Sequence, residues 1–394
     1  MRINTDIWLH LLRDIMTNKV ARVLIADASI PTAGYGSWSQ RIAYLLQQYE
    51  DNRFDYLIAE YTDIPFQSHV THRFNCRQDK GRLMNKLFPG WRYRSYVNAI
   101  GEIMTKHKQA IICVIDSLRT KKAVWNYIKK KNLQSRVKLL YYQCGFSKYI
   151  SPADYERFIE GLDACIYLTK NAYRFDLRHN SSMPFPVHVL HNPIDHRVFH
   201  PVDVSKKNEF RSELGMLDGI HFIWASQNRP KKGLEVVIEA WMSFYSAEKN
   251  THLHVVGIDS SADIPGVRFH GKKHSDEMHK WFKAADIGVF SSLWPEGFSL
   301  SLAEQISCRL FCIASTAGCV EEFFNDVEHG IAIEEPNLVE EWVAAFEKAL
   351  HQLDDFKKQN SNDSSATPPF LTYNEWCDRF QQIFDGVERR MLLR

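Results

Sequence analysis

"IHFIWASQNRPKKGLEVVIEAW", Ile220 to Trp241, decides how this chain is read. Residues 220–226 are an apolar run rich in aromatic and β-branched side chains, the signature of a buried strand. A polar loop, "SQNRPKKGL", follows. An apolar-faced helix then occupies 233–248. A helix entered from such a loop presents free backbone N–H groups and the positive end of its dipole, which together favour phosphate. The loop places Arg229, Lys231 and Lys232 beside that helix start at Gly233. Cations there oppose the helix dipole. A polyanion seated among them offsets that cost; exposed loop charges with no ligand are the plainer alternative.

The same alternation extends in both directions. Downstream lie the strands "HLHVVG" (252–257), "VRFHG" (267–271), "ADIGVFSS" (285–292) and "LFCIAS" (310–315), with helices near Phe298 and over 337–353. Upstream lie "ARVLIAD" (21–27), "FDYLIAE" (54–60), "AIICVID" (110–116), "VKLLYYQ" (137–143), "ACIYLT" (164–169) and "VHVL" (187–190), most of them separated by helical patterns such as 37–50. Strands alternating with helices predict an α/β protein with parallel sheets. At 394 residues the chain exceeds what one core usually serves, so two domains are expected. "HNPIDHRVFHPVD" (191–203) reads as the linker, "KKQNSNDSSATPP" (357–369) as a polar loop, and 372–390 as a last helix. The expected boundaries are 1–195, 196–369 and 370–394.

Composition is that of an ordinary globular protein, with 45% apolar and 24% charged residues. No apolar run reaches the length of a transmembrane helix. The N-terminal segment lacks the pattern of a signal peptide; Trp8, Leu12, Ile15 and Met16 instead share one face of a short helix, which either packs on its own domain or lies on a membrane. The eight cysteines form no C-x-x-C pair and read as buried thiols of a cytoplasmic protein without a zinc site. His188 with His191, and His252 with His254, sit in strand-like segments without a carboxylate nearby, so no metal is expected. Charge is uneven. Residues 65–148 hold eighteen Lys and Arg against three acids, a net +15, while the whole chain is only +2. That implies an anionic partner, either a membrane surface or a polyanionic acceptor. No nucleic-acid reader motif accompanies the charge.

"WPEGFSLSLAEQISC" (294–308) carries two glutamates eight positions apart. Ser301 and Glu304 fit a capping box at a helix start. That explains Glu304 and leaves Glu296 unexplained.

Several of these segments resemble one family. "HNPIDHRVFHPVD", "SQNRPKKGLEVVIEAW" and "PEGFSLSLAEQISCRLFCIASTAGCVEE" are similar to the linker, the R-x-x-K-G loop with its helix, and the E-x7-E segment with its following turn in retaining nucleotide-sugar glycosyltransferases of family four. The resemblance is specific over 191–333 and diffuse before it, where only "IPTAGYG" and the strand order suggest it. It implies a GT-B fold, two Rossmann-like domains facing across a cleft, with the C-terminal helix returning to the N-terminal domain. It also implies roles. Glu304 would hold the ribose hydroxyls, since a carboxylate accepts two hydrogen bonds from a diol. Glu296 would lie near the donor sugar, with the backbone of Gly297, Phe298 and Ser299. Lys232 and Arg229 would take the diphosphate. Gln227 stands where the family often has an arginine, Ala317 replaces the first glycine of the turn, and Glu321 is its acid. On the N-terminal side Gly34 and Gly36 would approach the donor, and Asp116 is the catalytic candidate.

The implied activity is retaining transfer of a hexose from a nucleotide diphosphate sugar, UDP slightly before GDP, to a glycan or lipid-linked acceptor in cell-surface polysaccharide or lipopolysaccharide synthesis. No metal or other cofactor is expected. The place of action would be the cytoplasm, or the inner face of the membrane as a peripheral protein. Alternatives are a sugar-nucleotide epimerase of the same fold, and a basic module binding anionic lipid or nucleic acid without catalysis.

Overall fold

A computed structural model describes residues 19–31, 37–78, 81–87, 90–146, 151–178, 182–216, 218–246, 250–324, 326–361 and 370–393. Gly34 and Gly36, and the face formed by Trp8, Leu12, Ile15 and Met16, lie outside these. The chain divides into two compact units. The first comprises 1–168, 173–190 and 373–394; the second comprises 169–172 and 191–372.

The first unit is built on a parallel sheet of β1 (Ala21–Ser29), β2 (Tyr56–Glu60), β3 (His72–Cys76), β4 (Ala110–Ile115), β5 (Val137–Gln143), β6 (Ala164–Tyr167) and β7 (Val187–Val189), in the order β3-β2-β1-β4-β5-β6-β7. The first six residues of β1 and all of β4 are buried. Continuous apolar runs of this kind belong to strands covered on both faces. β3, "HRFNC", is a polar edge strand. It has neither an apolar run nor a clean alternation, which is why the sequence pattern does not show it.

The last helix, Tyr373–Leu392, belongs to this unit. Trp376, Phe380 and Phe384 recur at four-residue spacing and share one face. The ring of Phe380 stacks on Trp376 at 5.0 Å, and Phe54 meets both Phe380 and Phe384 at 5.6 and 4.7 Å. Polar contacts fix the helix lengthwise: Tyr44 Oη donates to Asn374 at 2.7 Å, and the Tyr49 hydroxyl donates to Asp378. Arg22, buried in β1, donates to Asp385 and Glu388 at 2.6 Å each.

The second unit is a parallel sheet of β8 (Ile220–Ala225), β9 (Thr251–Val256), β10 (Val267–Phe269), β11 (Ile287–Phe290), β12 (Phe311–Ser315) and β13 (Gly330–Ile333), in the order β10-β9-β8-β11-β12-β13. Its core joins Phe222 and Trp224 of β8 to Trp241, Phe244, Trp342 and Phe346 of the flanking helices. Histidines lie within this sheet as well. His221 and His254, then His254 and His270, are bonded ring to ring, each at 2.9 Å. Burial, then the neighbouring imidazoles, push the pKa of His254 down to about 2, so that ring is held neutral.

The expected polar loop at 357–369 begins too early, because helix Val339–Ser361 runs through its first five residues. Phe356 packs on Phe311 at 5.2 Å, and Lys357 reaches Asp286 at 3.2 Å. Tertiary contacts extend a helix that the local polar sequence would end.

Arg22 yields a stability prediction. Removing both carboxylates with Asp385→Asn and Glu388→Gln strands a buried guanidinium, at a cost of about 2–3 kcal/mol once their partial exposure is allowed for. Adding Arg22→Met should restore much of that loss, because an apolar replacement of a buried ionic cluster is tolerated better than half a cluster. Denaturant unfolding of the double and triple variants measures the difference, and a triple variant less stable than the double refutes the assignment.

Candidate functional site

In open parallel sheets, ligands bind outside the carboxyl ends of the strands, where the strand order reverses. In the second unit that point lies between β8 and β11. The loops leaving these two strands are the loop 226–233 and the loop 291–299, so topology brings together the segments singled out in the sequence.

A close backbone approach locks the loops to each other. Gly233 has φ +71°, and a Cβ there would stand 2.0 Å from the Ser291 carbonyl oxygen. Leu293 N donates to Lys231 O at 2.8 Å, and Ser291 Oγ donates to Lys232 O at 2.8 Å. The family-like loop does not enter its helix directly. Pro230–Lys232 form a 3-10 turn, and the helix begins at Leu234.

Lys232 and Glu296 meet. Lys232 Nζ donates to Glu296 Oε1 at 2.6 Å, and Ser292 Oγ donates to the same oxygen at 2.7 Å. The backbone of Glu296 is held from its other side by Ala317–Cys319. Glu296 N donates to Ala317 O at 3.4 Å, and Cys319 N donates to Glu296 O at 3.1 Å. Gly318, at φ +87°, permits this, since a Cβ would stand 2.6 Å from Glu296 N. Arg229 and Gln227 are exposed on the same loop. Lys231 Nζ lies over the ring of Trp294 at 5.4 Å, and Trp294 is itself exposed.

Helix Leu300–Ser307 starts after the Ser299 cap, and Ser299 makes no side-chain cap bond. The capping box does not form. Ser301 sits inside the helix and donates to Ala225 O at the end of β8, at 3.1 Å. The bland account of Glu304 therefore fails. Glu304 lies one turn into the helix, partly open to solvent, and no hydrogen bond or ion pair engages its carboxylate among the described residues. Desolvation pushes its pKa up to about 8. Gly297 and Phe298 lead into this helix, and the ring of Phe298 lies 5.7 Å from His191 and 5.2 Å from Phe323.

Glu321 is exposed, while its neighbour Glu322 is turned inward. Glu322 Oε2 accepts from Lys170 N at 2.9 Å and lies 3.4 Å from His191 Nε2, and its other oxygen accepts from Asn171 N. Burial opposes its charge, but His191 and these N–H groups hold its pKa below the usual value. Asn171 Nδ2 donates to Gly318 O at 3.0 Å, so Glu322 and Asn171 brace the turn that holds Glu296. Sequence reading missed Ser292, Asn171 and Glu322. The only signal for Ser292 was a small hydroxyl immediately after an apolar strand.

Asp116 belongs to the first unit. It follows β4 directly, beside β1, at the switch point of that sheet. Its φ is +49°, and its Oδ1 accepts from Cys144 N at 3.0 Å. Much of the basic charge of this unit is spent internally. Lys121 is buried and donates to the carbonyls of Arg157 and Glu160; Arg136 donates to those of Lys108, Met104 and His107. Lys129 pairs with Glu160 at 2.7 Å, and Lys138 with Asp163 at 2.7 Å.

Residues 219–352 match the model of the glycosyl transferases group 1 family. This part of the chain is similar to a group 1 glycosyl transferase domain. The match spans β8 to most of the helix after β13, and therefore every second-unit site residue above except Lys170, Asn171 and His191. A phosphatidyl-myo-inositol mannosyltransferase of Propionibacterium freudenreichii subsp. shermanii is 26% identical over 172 residues, which is 44% of this chain and 43% of that protein. The chain thus aligns with less than half the length of that relative. Among solved structures, sucrose-phosphate synthase from Thermosynechococcus elongatus superposes with a TM-score of 0.73 at 14% identity, over 94% of this chain and all of that one. HepE from Anabaena, in complex with UDP, gives 0.70 at 14% identity over 93% and 100%. A glycosyltransferase from Rickettsia africae gives 0.71 at 15% over 94% and 99%. The fold is that of GT-B glycosyltransferases: two α/β domains, each on a parallel sheet.

The raised pKa of Glu304 has a consequence for the ligand-free protein. A carboxyl that ionises near pH 4.5 when unfolded and near 8 when folded contributes stability in full below 4.5, and loses it as pH rises through 8. Glu304→Gln should therefore raise the unfolding temperature at pH 8.5 and leave it nearly unchanged at pH 5. Thermal denaturation at the two pH values tests this, and equal effects at both would contradict the desolvated environment of this carboxyl.

Proposed function

We propose that the protein transfers a hexose from a nucleotide diphosphate sugar to a glycan or lipid-linked acceptor, with retention at the anomeric carbon. The observation that carries this reading is the Lys232–Glu296 pair at the switch point of the second sheet, with the desolvated Glu304 in the helix that follows, all within the residues that match the group 1 model. Desolvation opposes the ionisation of Glu304, which has no partner, so a ribose diol that donates to both its oxygens favours the charged form. Lys232 has three N–H donors and gives one to Glu296, which leaves charge and donors for a diphosphate. UDP as the nucleotide is supported by the UDP and UDP-glucose complexes of the HepE structures.

Bond breaking at the anomeric carbon puts charge on the departing diphosphate. Lys232, Arg229 and the N–H groups at the start of helix Leu300–Ser307 supply positive potential there. By resemblance to the family, the acceptor hydroxyl attacks from the face the diphosphate leaves, and the departing phosphate takes its proton. Glu296, paired with Lys232, holds the sugar rather than attacking it. No metal is needed in this scheme.

Glu304→Gln and Lys232→Ala each remove a charge-assisted contact of roughly 1.5–3 kcal/mol, so each should weaken UDP-sugar binding about ten- to hundredfold with the fold intact. Isothermal titration with UDP-glucose and GDP-mannose gives the affinities and the base preference. Transfer should persist in EDTA. Wild-type affinity in both variants, or transfer that needs added Mg²⁺ or Mn²⁺, would reject the corresponding part of the scheme.

Charge supports an acceptor at a membrane surface. Lys130 and Lys131 are exposed at the end of helix Leu118–Lys130, beyond the pairing of Lys129. The name of the mannosyltransferase relative, that of an enzyme acting on a phosphatidylinositol, supports a lipid-linked acceptor. Each Lys or Arg near an anionic bilayer contributes about 1 kcal/mol, and salt screens it. The protein should cosediment with phosphatidylglycerol-containing vesicles at low salt and release as salt rises. Lys130→Gln with Lys131→Gln should weaken this binding, and equal binding to neutral vesicles overturns it.

A further inference from the structure

Outside the switch point, the first unit has a cleft of about 450 Å³ between the loop 61–71 and the edge strand β3. Arg73 lines it. Its Nη2 donates to Glu60 O at 2.8 Å, and its guanidinium lies 5.8 Å from the centre of the Phe66 ring. Its Nε is buried without a hydrogen-bond partner. No carboxylate pairs with it among the described residues, and burial pulls its pKa below the ordinary value. Asp63, the acid of the cleft lining, instead accepts from Tyr61 Oη at 2.6 Å.

An arginine held half-buried in a cleft without a counter-charge costs free energy. The remaining lining is suited to offset that cost from outside. Ser68 Oγ accepts from Thr71 N at 3.0 Å, and Thr62 Oγ1 accepts from Ile64 N at 3.2 Å, so each hydroxyl keeps its own proton to donate. His72 and Asn75 are exposed beside them. A guanidinium with several hydroxyl and N–H donors is the chemistry of a phosphoryl site. The volume exceeds that of a bare ion and falls in the range of small-ligand pockets.

We propose that this cleft binds the phosphate of a phosphorylated sugar or lipid headgroup, with Arg73 as its counter-charge. The cleft shares no residue with the proposed donor site: it lies at the β3 edge of the first sheet, away from that sheet's own switch point, and Arg73 lies outside residues 219–352.

The test uses the full chain with UDP in excess to fill the donor site, and inorganic phosphate as probe at constant ionic strength set by sodium chloride. Phosphate should raise the unfolding temperature of the wild type, and Arg73→Gln should weaken that response at least tenfold in phosphate concentration. Arg73→Lys should keep part of it. UDP-glucose affinity unchanged in Arg73→Gln shows that the variant is folded. If UDP-glucose fails to bind the wild type, the donor reading fails while the phosphate titration still reports on Arg73. Sedimentation with vesicles of phosphatidylcholine containing 30% phosphatidylglycerol, against phosphatidylcholine alone, separates the sources. Loss of the anionic-vesicle signal in Arg73→Gln assigns a lipid headgroup, and an unchanged signal alongside a lost phosphate response assigns a soluble sugar phosphate. No phosphate response in the wild type, or the same response in Arg73→Gln, overturns the proposal.

Discussion

Gly233 has no room for a side chain. With a Cβ it would collide with the Ser291 carbonyl at 2.0 Å, and the contact between the ends of β8 and β11 would open. That contact brings Lys232 within 2.6 Å of Glu296. A second glycine, Gly318, lets Ala317–Cys319 pair with the backbone of Glu296 from the other side. Glycine loses more conformational freedom on folding than any other residue, so both positions cost stability locally. The hydroxyls of Ser291, Ser292, Ser301 and Ser315 then fix what the glycines allow. Ser291, Ser301 and Ser315 each bridge one strand end or loop to another, and Ser292 fixes Glu296 within its own loop, by bonds of 2.6–3.1 Å.

The two glutamates are held in opposite ways. Glu296 is fixed by its backbone, by Ser292 and by Lys232, so its position is determined before any ligand arrives. Glu304 is fixed only by the helix that carries it, and its carboxylate is desolvated without compensation. An arrangement of this kind stores unfavourable free energy that a hydrogen-bond donor from outside can release. Preorganisation of one acid and frustration of the other are complementary: the first limits what must move, and the second leaves an interaction still to be made.

The second sheet was legible because its strands are apolar runs separated by charged or glycine-bearing loops. The site loops were legible because their residue types are out of place in a bland reading: cations at a helix start, and a glutamate before one. What failed had a physical cause in each case. The capping box matched Ser301 and Glu304 by spacing, but the carbonyl end of β8 lies within reach of Ser301 and captures its hydroxyl. Glu322 was passed over beside Glu321, because only the 3-10 turn Val320–Glu322 directs it inward to the backbone of Lys170 and Asn171. Those partners are 151 and 152 residues away in sequence, beyond any local pattern. The bonded imidazoles of His221, His254 and His270 are likewise a product of strand register, since His221 and His254 face each other only once β8 and β9 pair.

Two charged groups show how burial separates architecture from recognition. Asp286 is nearly inaccessible, and burial opposes its charge. Lys207, Lys357 and Arg211 surround it and hold its pKa well below the usual range. With three cations on one carboxylate, that charge is satisfied from within the unit and has no need of a ligand. Arg73 is the reverse case, a guanidinium in a cleft whose bonded partner is a backbone carbonyl and whose neighbouring acid is engaged by a tyrosine. The distinction lies in which charges the fold neutralises, and the +15 of residues 65–148 is informative only after the cations that pair with Glu160 and Asp163 are removed from it.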